Sequence, residues 1–168
     1  SSLTAPNGPS HQRAIRAALQ MAGLNGAIVA GLELHSTGTP LGDPIEVGAG
    51  HAVLIENAEG DRRISPMLSG IKTFTGHTEP AAGVVGLMNG ICQSSSQAVL
   101  FILHLQRLNP HLETISYAPN HAKLFFCFAY PRLHSPAVPL PLRHSLVIGV
   151  SAFAFQGTHA HAATVKDS

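Results

Sequence analysis

Ala27-Ile28-Val29-Ala30-Gly31-Leu32-Glu33-Leu34 is a short apolar run that breaks at His35-Ser36-Thr37-Gly38-Thr39-Pro40. A run of this length, followed by Gly, Pro and hydroxyl residues, predicts a strand buried on both faces that ends in a loop. Asp43-Pro44 comes directly after and predicts a helix start, with Asp as N-cap and Pro in the first turn. That helix is expected to run to about Glu56. A buried strand feeding a loop and then a helix is the unit of α/β architecture, and its loop lies at the strand's carboxyl end, where such sheets place ligands.

The same grammar extends in both directions. Upstream, Ala5-Pro6-Asn7-Gly8-Pro9-Ser10 is turn chemistry leading to a helix that starts at Ser10. Ile15, Ala18, Leu19 and Ala22 share one face of that helix, and Gly23 stops it. Downstream, Pro66–Thr73 reads as a second buried strand and Phe74–Thr78 as a loop. A third helix is expected over Glu79–Gln93, and the small residues at its start allow close packing on a neighbour. Ser145–Phe155 predicts a strand, Gln156–His159 a tight turn and Ala160–Val165 a return strand. The Pro-rich Pro131–Arg143 reads as a loop or linker.

Composition narrows the function. The chain has 168 residues, 45% hydrophobic but only 11% charged, against an ordinary quarter. Little polar surface remains for water, which predicts reliance on a partner surface. The net charge of +1 and the absence of Trp argue against nucleic acid and an anionic membrane. The apolar runs Ala98–Leu105 and Leu124–Tyr130 fall far short of the roughly 20 residues a membrane helix needs. The two cysteines, Cys92 and Cys127, form no CxxC pair, so neither a disulfide framework nor a zinc site is indicated, and a reducing, cytoplasmic setting is expected. The opening Ser1-Ser2-Leu3-Thr4 has no initiating Met and reads as the start of an excised region.

Among 11 histidines, His35 and His77 stand out, because each comes after a predicted strand and precedes a predicted helix. Lys72 is placed at the end of the second strand, where it can pair with a carboxylate, with Asp43, Glu46 and Glu79 as candidate partners, or stand as a solvated charge; spacing alone supports both equally. Thr37 and Thr39 flank Gly38 and can bond the amides of an extended ligand or satisfy local backbone. Phe153 and Phe155 suggest a strand end beside a pocket, although alternating Phe in a strand is more often core. His159 and His161 would point to one face of a strand, but no neighbouring Cys, Asp or Glu completes a metal set. Cys92 lies inside the third helix and is expected to be at least partly buried. Cys127 sits in an apolar run. Neither is at a turn or helix start, where a thiolate is activated.

In these segments the chain resembles the polyketide β-ketoacyl synthases. The resembling stretches are Thr4–Ser10, Glu33–Glu46, Gly70–Gly83, Leu103–His111 and Gly149–His161, in the family's order and at about its spacing. The resemblance covers about 4–165 and lapses over about 113–142, with the whole chain, 1–168, read as one C-terminal portion of the domain. It implies a thiolase-like layered α/β half-domain with a mixed β-sheet flanked by helices. It implies decarboxylative Claisen condensation of an acyl-thioester with malonyl-carrier protein, in polyketide or fatty acid synthesis. Carried over residue by residue, it makes His35 and His77 the catalytic histidines and Lys72 the organising lysine. Thr37 and Thr39 would bind the phosphopantetheine arm and Phe155 would be the gate, with Asp43 and Glu46 as support.

The resemblance further implies no directly bound cofactor and no metal. The phosphopantetheine arm of an acyl carrier protein would serve as substrate carrier. The implied partners are that carrier protein, a second copy in a homodimer, and an N-terminal half supplying the nucleophilic cysteine, which neither Cys92 nor Cys127 matches. Without that half the segment is expected to be inactive. Ser36, Ala154, Gln156 and His159 depart from the family pattern, as does Pro80 at a tolerant helix start. The missing nucleophile, Ser36, His159 and the unmatched stretch over about 113–142 motivate a second reading, a truncated remnant acting as scaffold or dimer partner. A His-rich metal binder is a third.

Overall fold

The computed structural model describes residues 6–56, 66–100, 102–103, 105, 107–112, 125–126, 137–139, 145–154 and 158–167. Helix α1 spans Gly8–Met21 and a 3₁₀ turn covers Gly26–Ile28. Strand β1 is Val29–Glu33, and α2 is Gly42–His51 with a π turn over Ala52–Glu56. Strand β2 is Met67–Ser69, α3 is the single turn Lys72–Thr75, and a 3₁₀ turn at Glu79–Ala81 leads into α4, Ala82–Ser96. The remaining strands are β3 (Ala98–Leu100), β4 (Phe125–Phe126), β5 (Ala137–Pro139), β6 (Ser145–Phe153) and β7 (His159–Asp167).

Five strands form one mixed sheet in the order β4-β2-β1-β6-β7. The β1–β2, β1–β6 and β2–β4 pairs are parallel, while β6 and β7 form an antiparallel hairpin. β1 is therefore central and buried along its whole length, which is why its sequence is continuously apolar rather than alternating. β3 and β5 make a separate antiparallel pair.

Helices flank the sheet on both faces. α1 and α2 pack together on one, and Gly50 of α2 comes so near the sheet that a Cβ there would stand 2.9 Å from Leu32. α4 covers the other face, where added Cβ atoms on Gly86 and Gly90 would meet Val150. The core between α1, α2 and the sheet joins Ile15, Leu19, Leu32, Val47, Leu54 and Leu68. A smaller cluster joins Ala30, Val99, Leu146 and Ile148. No helix among the described residues is long and apolar enough to cross a membrane.

The mixed sheet flanked by helices is the expected fold class, with local corrections. α1 begins two residues before Ser10, because the side chain of Asn7 caps it by accepting the Ser10 amide at 3.0 Å. Gly23, at φ +65°, is the expected stop. Asp43 is not an N-cap: α2 begins at Gly42, and the Asp43 carboxylate instead accepts the Gly38 amide at 3.2 Å. The second strand is much shorter than Pro66–Thr73: it ends at Ser69, and α3 starts at Lys72. Lys72 is thus on a helical turn, and His77 comes after that turn rather than after a strand. Residues 137–139, expected within a loop or linker, form β5. The return strand runs past Val165 to Asp167. Cys92, expected to be at least partly buried, is exposed on α4. Cys127 and residues 156–157 of the expected Gln156–His159 turn lie outside the described residues, while His159, expected in that turn, already starts β7.

Candidate active site

The site is built where β1 and β2 end side by side. Both strands point their carboxyl ends the same way, so the residues after Glu33 and after Ser69 meet. Leu34 donates its amide to the Ser69 carbonyl at 2.9 Å, extending the ladder to the residue before His35. Two buried carboxylates then fasten the loops. Glu46 of α2 accepts the His35 amide at 2.6 Å on one oxygen and the Ser36 amide at 2.9 Å on the other. Glu33 accepts the Ile71 amide at 2.6 Å, which holds the residue just before Lys72. Burial pushes the Glu46 carboxyl up to about 8, against the downward pull of those two amides.

The His35 and His77 rings stand 5.7 Å apart, centre to centre, at 87°. The partner of each ring sets its tautomer. The Lys72 ammonium, which can only donate, lies 3.5 Å from Nδ1 of His35, long for a hydrogen bond but pointed at that nitrogen. The Glu79 amide, also only a donor, reaches Nδ1 of His77 at 3.1 Å. Both Nδ1 atoms are therefore acceptors, and both rings carry their hydrogen on Nε2. Burial, with Lys72, His77 and His11 nearby, lowers the His35 pKa to about 4, so the ring is neutral at pH 7. Burial also lowers the Lys72 pKa, while Glu46, Glu33 and Asp43 oppose that shift. These carboxylates act on Lys72 through space, and its direct contact is the His35 ring. Glu79, a candidate partner for Lys72, instead serves His77 through its backbone.

A cleft of about 830 Å³ opens beside the His77 ring and brings together Thr37, Thr39, Asp43, Lys72 and His77 on one side and Leu103 and Arg107 on the other, with His35 just behind its lining. Thr39 accepts the Gly42 amide at 3.0 Å, which leaves its hydroxyl proton for a ligand. Asn109 donates to the Pro40 carbonyl at 3.0 Å and Thr73 to the Leu103 carbonyl at 2.6 Å, so the opposite wall is tied to both site loops.

The structure therefore brings together His35, His77, Lys72, Thr37, Thr39, Asp43 and Glu46, while Phe155 lies outside the described residues. The neighbouring Phe153 is the aromatic at the site. It stacks face to face on His11 at 3.7 Å and stands edge-on to His35 at 5.8 Å. Sequence reasoning passed over His11, because on α1 it reads as one more polar residue. His11 is nevertheless buried, with its Nδ1 unpartnered, and burial and His159 lower its pKa to about 4. Glu33 was passed over too, although a lone carboxylate at the end of an apolar strand was the signal. His159 and His161 are engaged separately: His159 packs against His11 and Phe153, and His161 meets the Ser151 hydroxyl at 3.0 Å. No cluster of three metal-ligating side chains occurs among the described residues.

Comparison with known proteins agrees with this geometry. The family model "Beta-ketoacyl synthase, C-terminal domain" matches residues 1–106. Erythronolide synthase EryA2 of Saccharopolyspora erythraea is 38% identical over 95% of the chain, and mycoketide-CoA synthase of Mycobacterium tuberculosis is 37% identical over the same share. The chain spans only 4% of either relative. Among solved structures, oxazolomycin ketosynthase domain OzmH KS7 of Streptomyces albus covers 97% of the chain at 32% identity and TM-score 0.73. Ketosynthase twelve of the bacillaene synthase of Bacillus amyloliquefaciens covers all of it at 24% identity and TM-score 0.83, a likeness of fold. The chain spans 26% and 28% of those two. A mixed sheet of thiolase-like type, two histidine loops at its carboxyl end and polyketide synthase relatives lead to one conclusion: the chain belongs to the β-ketoacyl synthase C-terminal domain family, as the C-terminal half of a polyketide synthase ketosynthase.

Proposed function

We propose that this segment supplies the decarboxylation half-site of a cytoplasmic ketosynthase that condenses an acyl-thioester with a malonyl unit on a carrier protein. The observation that carries the reading is the matched pair of rings, each with an obligate donor at Nδ1 and therefore an N–H at Nε2. Breaking the bond between the malonyl α-carbon and its carboxylate releases CO₂ and leaves the electron pair as a thioester enolate. Two imidazole Nε2–H donors at this site stabilise the charge that builds on the enolate oxygen. The enolate carbon then attacks the acyl thioester on the nucleophilic cysteine, and the thiolate leaves.

Lys72 orients His35 and holds its tautomer. Thr37 and Thr39, exposed on the cleft, bond the amides of the phosphopantetheine arm, so no resident cofactor is required. The cysteine comes from the N-terminal half of the domain. Cys92 is unsuited, because it sits ten residues into α4, far from the helix start that would activate a thiolate. The outer face of α4 fits such a complement: Val84, Met88 and Ile91 are 61%, 61% and 49% exposed and recur at helical spacing. The assembled domain works as a homodimer.

The test is decarboxylation of a malonyl-thioester by the complete domain carrying His77→Ala. The expected result is a kcat loss of about 100-fold or more, the scale of removing one oxyanion donor. Unchanged kcat refutes the reading.

A further inference from the structure

Glu33 is fully buried at the end of the central strand β1, and four donors converge on its carboxylate. Oε1 takes the Ile71 amide at 2.6 Å. Oε2 takes the Ser69 hydroxyl at 2.6 Å, the Asn89 side chain at 2.9 Å and the Gln93 side chain at 3.1 Å. These donors come from β2, from the residue that opens α3, and from α4. Gln93 also donates to the Ser69 hydroxyl at 3.0 Å, which closes the network on itself. Ser69, Asn89 and Gln93 are themselves buried. A group of this kind is costly to bury, and a core of the same volume could be apolar. The groups that the carboxylate holds are therefore informative. Its Oε1 is spent on the amide next to Lys72, whose ammonium sets the tautomer of His35.

We propose that Glu33 is a positioning residue for the decarboxylation half-site, acting through Lys72 in two ways: it tethers the start of α3, and it keeps a negative charge near the ammonium. The proposal rests on the reading of His35 and His77 given above. Glu46 does the corresponding work for the His35 loop, so each of the two loops is fixed by one buried carboxylate through backbone amides. Glu33 reaches no cleft surface and touches no substrate. The geometry leaves it a positioning role. The Ile71 carbonyl accepts the Phe74 and Thr75 amides at 2.9 and 3.2 Å, so a shift of Ile71 would carry the whole turn with it. Burial raises the Glu33 pKa, and the four donors that converge on it pull it back toward the charged form; Glu33 is in turn among the groups that oppose the lowering of the Lys72 pKa.

The experiment compares wild type, Lys72→Ala, Glu33→Gln and Glu33→Asp in the complete ketosynthase domain, measuring kcat and KM for malonyl-thioester decarboxylation across pH. Glu33→Gln keeps the shape and removes the charge. It is expected to lower kcat about tenfold or more with KM changed less than twofold, and to move the alkaline limb of the pH profile to lower pH. Glu33→Asp keeps the charge but is one methylene too short for the Ile71 amide. It is expected to lower kcat at least fivefold while its alkaline limb stays near that of wild type, and it carries the test alone if Glu33→Gln does not fold. An inactive wild type, or a Lys72→Ala enzyme as active as wild type, overturns the half-site reading beneath the proposal. An impaired Lys72→Ala enzyme with a wild-type kcat in either folded Glu33 variant overturns the positioning role alone. So does a Glu33→Gln enzyme whose alkaline limb does not move.

Discussion

At the scale of single residues, the site departs from relaxed geometry at Ser36, next to His35, at φ +37°. Left-handed backbone costs a residue with a Cβ on the order of 1–2 kcal/mol. Ser36 also closes the space over Gly70: a Cβ added there would overlap the Ser36 hydroxyl and would find no other group within 4 Å. Gly70→Ala is therefore expected to destabilise the folded protein by about 1–3 kcal/mol by overpacking. In a Ser36→Gly background that cost should largely disappear, a coupling of about 1 kcal/mol or more in a double-mutant cycle of urea unfolding. Additive effects would contradict the contact.

Titration gives a second test at this scale. His11, His35 and His161 are all held near pKa 4 by burial, against 6.5 when unfolded. The unfolded chain therefore binds more protons between pH 6.5 and 4, and these three rings favour folding above 6.5 and lose that contribution as pH falls toward 4. His161→Gln removes one of them and should lessen the fall in unfolding free energy over that window relative to wild type. An equal fall would show that His161 does not titrate as its burial implies.

The sequence identified these site residues unevenly. His35 was legible because loop chemistry comes directly after a readable strand, whereas Lys72 and His77 stood out through the family-like stretch Gly70–Gly83 and not through the strand expected before them. Glu33 and His11 were not legible, because their roles depend on partners 38 residues away at Ile71 and across the sheet at Phe153.

At the scale of elements, small residues decide how closely helices approach the sheet. An added Cβ on Gly86 would sit 3.5 Å from Val150, an ordinary contact, whereas one on Gly90 would collide with the other methyl of the same side chain. Replacing Gly by Ala in a helix favours folding by about 1 kcal/mol through propensity. Gly86→Ala is thus expected to be neutral or stabilising by up to about 1 kcal/mol. For Gly90→Ala, overpacking of about 1–3 kcal/mol outweighs the gain and leaves a net loss. Thermal unfolding of both variants checks the contrast, and equal shifts would contradict it. The fold was readable where the period was long and clean, as in α1, β1 and the β6–β7 hairpin. It was misread at β2, which ends at Ser69, because the expected strand ran on into residues that form the helical turn Lys72–Thr75. β5 was hidden because its partner β3 lies far away in sequence and its own stretch is rich in Pro, which argues against a strand.

At the scale of the whole molecule, the low charge content read from composition has a location. The apolar stripe of α4 faces outward, opposite the side that packs on the sheet. Met88→Glu is expected to leave the secondary structure of the isolated segment unchanged, since the side chain is mostly solvent-exposed, and to abolish co-purification with a separately expressed N-terminal half. Undiminished co-purification would place the interface elsewhere. The cleft, the loops and the stripe all depend on one arrangement, in which two parallel strands end together and two buried carboxylates hold the loops that leave them. The consequence that matters for chemistry is the pair of Nε2–H donors. ¹⁵N NMR of the histidine rings in the complete domain at pH 7 measures this directly. The account predicts that His35 and His77 both show a bare, acceptor-type Nδ1 and a protonated Nε2. An Nδ1–H tautomer at either ring would contradict it.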